Sequence, residues 1–180
     1  MALLEMPVSF TDSEIERLIR IKKPLPDNWR ARLRNLRLRH ELSQKRASLI
    51  VRTGEGDFRV MIRQSTINVL DFSVILGFRR PRETRWFRLR RYNGQHPGEH
   101  RNKLERERDR KSWQRLRGCH IHLATARYQE RGFEEDAYAV PTEKYTSVDG
   151  AIELLMDECG FEKPVQEPPN PSQGSFWPER

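Results

Sequence analysis

From Ala47 onward the apolar residues of this chain recur at every second position, and that period decides what the chain can build. Ala47-Ser-Leu-Ile-Val-Arg52 and Phe58-Arg-Val-Met-Ile-Arg63 are β-rich runs separated by Thr53-Gly54-Glu55-Gly56-Asp57, whose glycines permit a tight reversal. Side chains alternate across a strand, so this pair predicts a β-hairpin with Phe58, Val60 and Ile62 turned toward a core. Ile67 to Leu76, Arg85 to Tyr92, Cys119 to Ala126 and Ala137 to Pro141 read as further strands. The last of them belongs at an edge or an end, because Pro141 cannot donate to a ladder.

Helical signals bracket these strands. Thr11-Asp12-Ser13-Glu14 is a capping box, with Ile15, Leu18 and Ile19 on one stripe behind it, and predicts a helix from about Asp12 to Lys22. Pro24 and Pro26 stop it. Asp27 or Asn28 can cap a second helix that carries Trp29, Leu33 and Leu36 on one side and arginines at 30, 32, 34 and 37 on the others. Asn102, with Glu105 three residues on, opens a charged and largely exposed helix to about Arg117. Val148, Ala151, Ile152, Leu155, Met156 and Cys159 mark a final amphipathic helix, capped by Thr146 with Asp149 and ended by Gly160.

This order predicts an α+β fold: a mostly antiparallel sheet of five to six short strands, N-terminal helices, one helical insertion and a C-terminal helix. Residues 1–163 read as a single domain, with a helical part at 10–38, a sheet at 45–141 interrupted by the insertion at 103–117, and the helix at 147–159. Residues 164–180, with Pro164, Pro168, Pro169 and Pro171, read as a disordered or loosely attached tail.

A net charge of +8 comes mostly from arginine and is concentrated in two blocks, 22–52 and 79–117, while the C-terminal third is acidic. Arginine forks match phosphate oxygens, and aromatic rings interleaved with them can stack bases. Nucleic acid is the expected partner, RNA before DNA, with Arg32 and Arg37 on the N-terminal block and Arg85, Trp86, Arg88, Arg90, Arg91, Arg101 and Asn102 on the second as its contacts. Alternation across Arg85 to Tyr92 puts Phe87 and Leu89 inward and Trp86, Arg88, Arg90 and Tyr92 together on the other face. The alternatives are a basic surface kept for solubility, or one covered by an acidic protein partner. Cys119 and Cys159 form no CxxC pair or disulfide framework, no apolar run has the length of a membrane span, and the N-terminus does not read as a secretory signal, so a cytoplasmic protein is expected. A second copy of the chain is a further partner its acidic third could meet.

Four of the five histidines lie close together in sequence: His96, His100, His120 and His122. Histidine exchanges protons near neutral pH, so four of them beside arginines point to chemistry on an anion. The leading expectation is metal-independent cleavage of RNA, a toxin- or defence-like endoribonuclease with no cofactor. His120 and His122 would be held on one strand face and His96 or His100 brought by a loop, with Tyr92 available for stacking or proton transfer. A non-catalytic binding module or phage–host antagonist is the first alternative. A hydrolase with a metal ion on His120, His122 and His100 is the second. The chain has no Walker loop, GxGxxG, HExxH or GxSxG motif, which argues against nucleotide cofactors and the familiar hydrolase elbows.

His100-Arg101-Asn102, Cys119-His120-Ile121-His122, Tyr128-Gln-Glu-Arg-Gly132 and Ala137-Tyr138-Ala139-Val140-Pro141 follow a capped helix, a hairpin and an Arg-rich strand and precede a helix ending in Cys159. In this order Thr11 to Phe161 resembles a family of small bacterial proteins recorded as a domain of unknown function. The chain departs from that pattern with Tyr138 where the family looks more like Trp, and with the charged insertion Lys103 to Arg117. The resemblance implies a bacterial or phage setting, in which small basic proteins are often toxins or defence components, and it transfers no catalytic roles.

Overall fold

A computed structural model of the protein describes residues 9–39, 43–96, 100–105 and 116–164. It is an α+β fold in which seven strands form one antiparallel sheet: β2 (Arg37–Arg39), β3 (Gln44–Thr53), β4 (Gly56–Ser65), β5 (Phe72–Arg79), β6 (Phe87–Asn93), β7 (His120–Leu123) and β8 (Tyr138–Pro141), adjacent in that order. The sheet therefore holds more strands than the five to six expected. The added one is β2, where the alternation beginning near Leu36 already departs from a helical period. As expected, β8 lies at an edge, where Pro141 needs no donor.

Helix α1 (Asp12–Arg20) starts on the capping box, with the Glu14 amide donating to Thr11 Oγ1 and the Thr11 amide to the Glu14 carboxylate. Helix α2 (Trp29–Arg34) stops short of Leu36. A short helix α3 (Ala126–Glu130), capped by Thr125, was not expected from the periodicity. Helix α4 (Val148–Glu158) is capped by Ser147, which accepts from the Gly150 amide, and not by Thr146. A two-residue parallel pair, β1 (Lys23–Pro24) with β9 (Phe161–Glu162), joins the two ends of the fold. Lys103–Glu105 forms a single 3-10 turn, while most of the helix expected at 103–117 and of the tail expected at 164–180 lies outside the described residues.

The run Ile67 to Leu76 is not one strand. Ser65 Oγ accepts from the Ile67 and Asn68 amides and Asn68 Oδ1 accepts from the Leu70 amide, so a side-chain-stabilised turn breaks the ladder. Ile67 and Val69 are exposed there, and β5 begins only at Phe72.

Register gives the sheet two chemically distinct faces. On the inner face Val51–Phe58–Phe78–Phe87, Leu49–Val60–Leu76 and Ile62–Val74–Tyr92–Ile121 lie in rows of cross-strand partners. Together with Ile15, Leu18, Trp29, Leu33, Ile152, Leu155 and Met156 they form one buried apolar cluster. On the outer face the rows read Arg37–Arg46–Arg63–Ser73–Asn93–His120, then Ser48–Met61–Ile75–Arg91–His122–Ala139, then Ile50–Arg59–Gly77–Arg88.

The fold is clasped by a buried lysine. Lys23 Nζ lies 2.9 Å from the carbonyls of Leu18, Ile19 and Cys159 and 2.7 Å from that of Ile21. One ammonium thus serves the C-terminal carbonyls of both α1 and α4, where helix dipoles favour a cation. Its charge is carried at a cost, since burial lowers its pKa to about 8.

Candidate functional site

A β-bulge in β6 decides which of its side chains reach the histidines. Leu76 pairs with Arg90 and Gly77 with Arg88, so Leu89 is an extra residue and simple alternation fails beyond it. Arg91 and Asn93 face outward as a result. Arg90 and Tyr92 face inward, which corrects the expectation that both share a face with Arg88. Tyr92 is fully buried, its hydroxyl donates to Glu158 on α4 at 2.9 Å, and burial raises its pKa above the usual phenol range. Arg90 pairs with the same carboxylate at 3.2 Å. Tyr92 therefore lies on the opposite side of the sheet from the chemistry first expected of it.

The four histidines do come together. His120 and His122 project from β7 on the outer face, beside Asn93 and Arg91 of β6. The segments carrying His96 and His100 fold back over them: ring centroids are 5.1 Å apart for His96 and His120, 4.5 Å for His100 and His122, 5.0 Å for His120 and His122, and 5.8 Å for His100 and His120. Gly94 makes this return feasible, because a β-carbon there would collide with the Leu70 carbonyl and the Phe72 ring.

Hydrogen bonds fix the proton position on His120 and hold the His122 ring. His120 Nδ1 lies 3.0 Å from the Gly118 carbonyl and His122 Nδ1 2.8 Å from the Asp136 carbonyl. A carbonyl only accepts, so Nδ1 of His120 carries the hydrogen and its Nε2 keeps the lone pair, whereas His122 Nδ1 meets both a carbonyl and, at 3.1 Å, a guanidinium nitrogen of Arg91, which only donates. His120 Nε2 has Asn93 Nδ2 at 3.3 Å and His96 Nε2 at 3.4 Å, whereas His122 Nε2 is buried with no hydrogen-bond partner. Burial lowers the pKa of His120 to about 4 and that of His122 to about 2, with the Arg91 guanidinium adding to the second shift. His100 is lowered as well, again chiefly by burial. These three rings are neutral at physiological pH.

Several residues the sequence did not single out hold this arrangement. The Asp136 carboxylate is fully buried, with Arg91 Nε at 2.9 Å and Arg88 Nε at 3.1 Å, while its carbonyl orients His122. The Tyr145 hydroxyl lies 2.9 Å from the carbonyls of both Asn93 and His120, pinning β6 to β7 from the inner side. Only the acidic triplet Glu134-Glu135-Asp136 offered a sequence signal, and it gives no hint of which arginines it meets.

The arginines expected to contact nucleic acid fall into two groups. Arg85 pairs with Glu135, and Arg88 with Glu134, Glu135 and Asp136, so with Arg90 and Arg91 the whole β6 row is already neutralised. Trp86 has the guanidinium groups of Arg59 and Arg79 at 4.4 and 4.6 Å from its ring centre. Asn102 is turned inward: its amide bonds both the nitrogen and the carbonyl of Ala139 at 2.8 Å, completing edge strand β8 as a further strand would. Arg101 is half-buried. Arg32 and Arg37 lie at the opposite edge, exposed, lining a cleft of about 490 Å³ with Arg46.

A second cleft, of about 590 Å³, opens beside His96 and His120 and is also lined by Gln95, Arg117, Asn68 and Asp71. Among the described residues no three His, Cys, Asp or Glu side chains are placed to hold a metal ion, and no helix is long and apolar enough to cross a membrane. Comparison with family models, curated proteins and solved structures returned no match to this chain.

Proposed function

We propose that the protein binds single-stranded RNA and cleaves it without a metal ion, with His120 as general base and His96 as its proton partner. The observation that carries this reading is the pair of Nε2 atoms, 3.4 Å apart, on two residues that line a cleft together with Arg117. His120 Nε2 takes the proton of a ribose 2′-hydroxyl, whose oxygen attacks the adjacent phosphorus. The 5′-oxygen leaves with a proton from His96, giving a 2′,3′-cyclic phosphate and a 5′-hydroxyl. Arg117 supplies positive charge beside the phosphorane-like transition state. The neutral state of His120 favours the role of base, while buried His122 positions its neighbours. In a bacterial or phage setting such an activity would be toxin- or defence-like, cytoplasmic, and open to restraint by an acidic antitoxin.

One observation favours a second reading, a hydrolase that holds a divalent ion on its histidines. Both strand histidines have a carbonyl at Nδ1, alone at His120 and beside Arg91 at His122, and a carbonyl there is the arrangement that orients metal-binding imidazoles. Incubating the purified protein with RNA in EDTA separates the two. Cleavage that persists in chelator and ends in cyclic phosphate supports the metal-free reading; cleavage restored only by a divalent ion replaces it.

A further inference from the structure

We infer that the RNA strand crosses the sheet at right angles to the β-strands, following the line of the outer-face row Arg37–Arg46–Arg63–Ser73–Asn93–His120 from its exposed arginines toward the His96–His120 cleft, with its backbone held at the Arg37–Arg46 end. The inference rests on the RNA-binding reading above and specifies its path. Each residue of this row is the register partner of the next, so the line runs unbroken from β2 to β7. Five interstrand steps of ~4.8 Å make it roughly 24 Å long, enough for several nucleotides.

Three features pick this row over the direction along β6. First, Arg37, Arg46 and Arg63 stand directly opposite one another on neighbouring strands, and like charges so placed destabilise a sheet. Such a cost is met when a polyanion lies across the row. Second, these cations are available where those of β6 are not. Arg63 is tied to Asp71 at 2.9 Å, but Arg37 and Arg46 have no carboxylate partner among the described residues, and Arg46 donates only to the Gln44 amide oxygen at 3.1 Å. Neighbouring Arg32 likewise has none, and the three exposed guanidinium groups line one cleft. Third, the row deepens toward the histidines. It is exposed at Arg37 and Arg46, half-buried at Arg63 and buried at Ser73, Asn93 and His120, so phosphates rest on the arginines while one end of the strand is directed into the His96–His120 cleft.

The test uses 2′-O-methyl oligoribonucleotides, which cannot be cut by 2′-hydroxyl attack, so it reads the binding track whether or not the protein proves to be a nuclease. Lengths covering the ~4 to 16 nucleotides typical of single-strand grooves are titrated by fluorescence anisotropy at several salt concentrations. Wild-type affinity should rise with length and fall with salt. Arg32→Gln/Arg37→Gln/Arg46→Gln should weaken binding by about tenfold or more and flatten the salt slope by about 2, near 0.7 for each lost phosphate contact. Arg17→Gln/Arg20→Gln, a loss of two exposed, carboxylate-paired charges on α1, should leave binding unchanged. Circular dichroism confirms that both variants are folded. Unchanged affinity in the triple variant, an equal loss in the α1 control, or a wild-type protein that binds an acidic protein but no oligonucleotide would overturn the inference.

Discussion

Arg91 and His122 are register partners on the outer face, and a guanidinium nitrogen of one lies 3.1 Å from Nδ1 of the other. A cation at that distance opposes an imidazolium, so the pair keeps His122 neutral in addition to the effect of burial. The same logic reaches His120, whose neighbours His96 and His100 act in the same direction. His100, His120 and His122 therefore form a neutral island beside a basic surface.

Stability should fall with acid because of it. Folded pKa values of about 4 and about 2 lie below the ordinary imidazole value of about 6.5, so below pH 6.5 the unfolded chain binds protons at His120 and His122 that the native protein excludes. The contribution of these groups is complete above about pH 6.5 and is lost as pH drops, down to about 4 for His120 and about 2 for His122, on the order of several kcal/mol for the two together. Thermal melts between pH 7 and 4.5 should show the loss, with a shallower pH slope in His122→Gln. Parallel slopes in the two proteins would contradict it.

For the chemistry, His120→Asn should reduce RNA cleavage by about 10²- to 10⁴-fold while 2′-O-methyl oligonucleotide binding persists. With His120 as the proposed base, the acid limb of kcat/KM for the wild type should lie near pH 4 rather than near 6.5. A variant that still cleaves at the wild-type rate removes His120 from the mechanism.

Gly94→Ala should act on the site through the backbone. The added methyl group meets the Leu70 carbonyl and the Phe72 ring, neither of which can yield cheaply. A cost of roughly 1 to 3 kcal/mol is expected, as for overpacking elsewhere. Cleavage should fall further than the stability loss accounts for, because the loop bearing His96 is displaced. Denaturant titration beside an activity assay measures both, and wild-type values in both would show that the loop does not depend on this contact.

Lys23→Met keeps the apolar stem and removes the donor shared by four carbonyls at the ends of α1 and α4. Orphaned buried acceptors cost ~1–3 kcal/mol each before relaxation, so a loss of at least about 3 kcal/mol is expected in urea unfolding. A change below about 1 kcal/mol would mean that other groups serve these carbonyls.

Much of the architecture was legible because it rests on local patterns. The capping box at Thr11, the Phe58–Val60–Ile62 alternation and the α4 stripe each carry their own period or cap, and each formed nearly where expected. The gathering of His96 and His100 over the HxH strand was legible as a question that distance alone answers. Tyr92 and Arg90 were misplaced because a one-residue bulge at Leu89 leaves no mark in a pattern of alternating side chains. Neutralisation of Arg85, Arg88 and Arg91 by residues 134–136 is likewise a long-range pairing, invisible to spacing. The Arg37–Arg46–Arg63 row exists only once register is known, since nothing in the linear chain aligns those three positions.

The lysine clasp also sets an order of events. The β3–β4 hairpin needs only neighbouring residues and can form early, whereas Lys23 finds its full set of carbonyls only after Cys159 has arrived from the far end of the sequence. On a ribosome the arginines of the hairpin would be exposed as a basic surface well before the last helix locks the sheet. On the RNA-binding proposal, the nascent chain would meet RNA before it has a finished cleft in which to hold it.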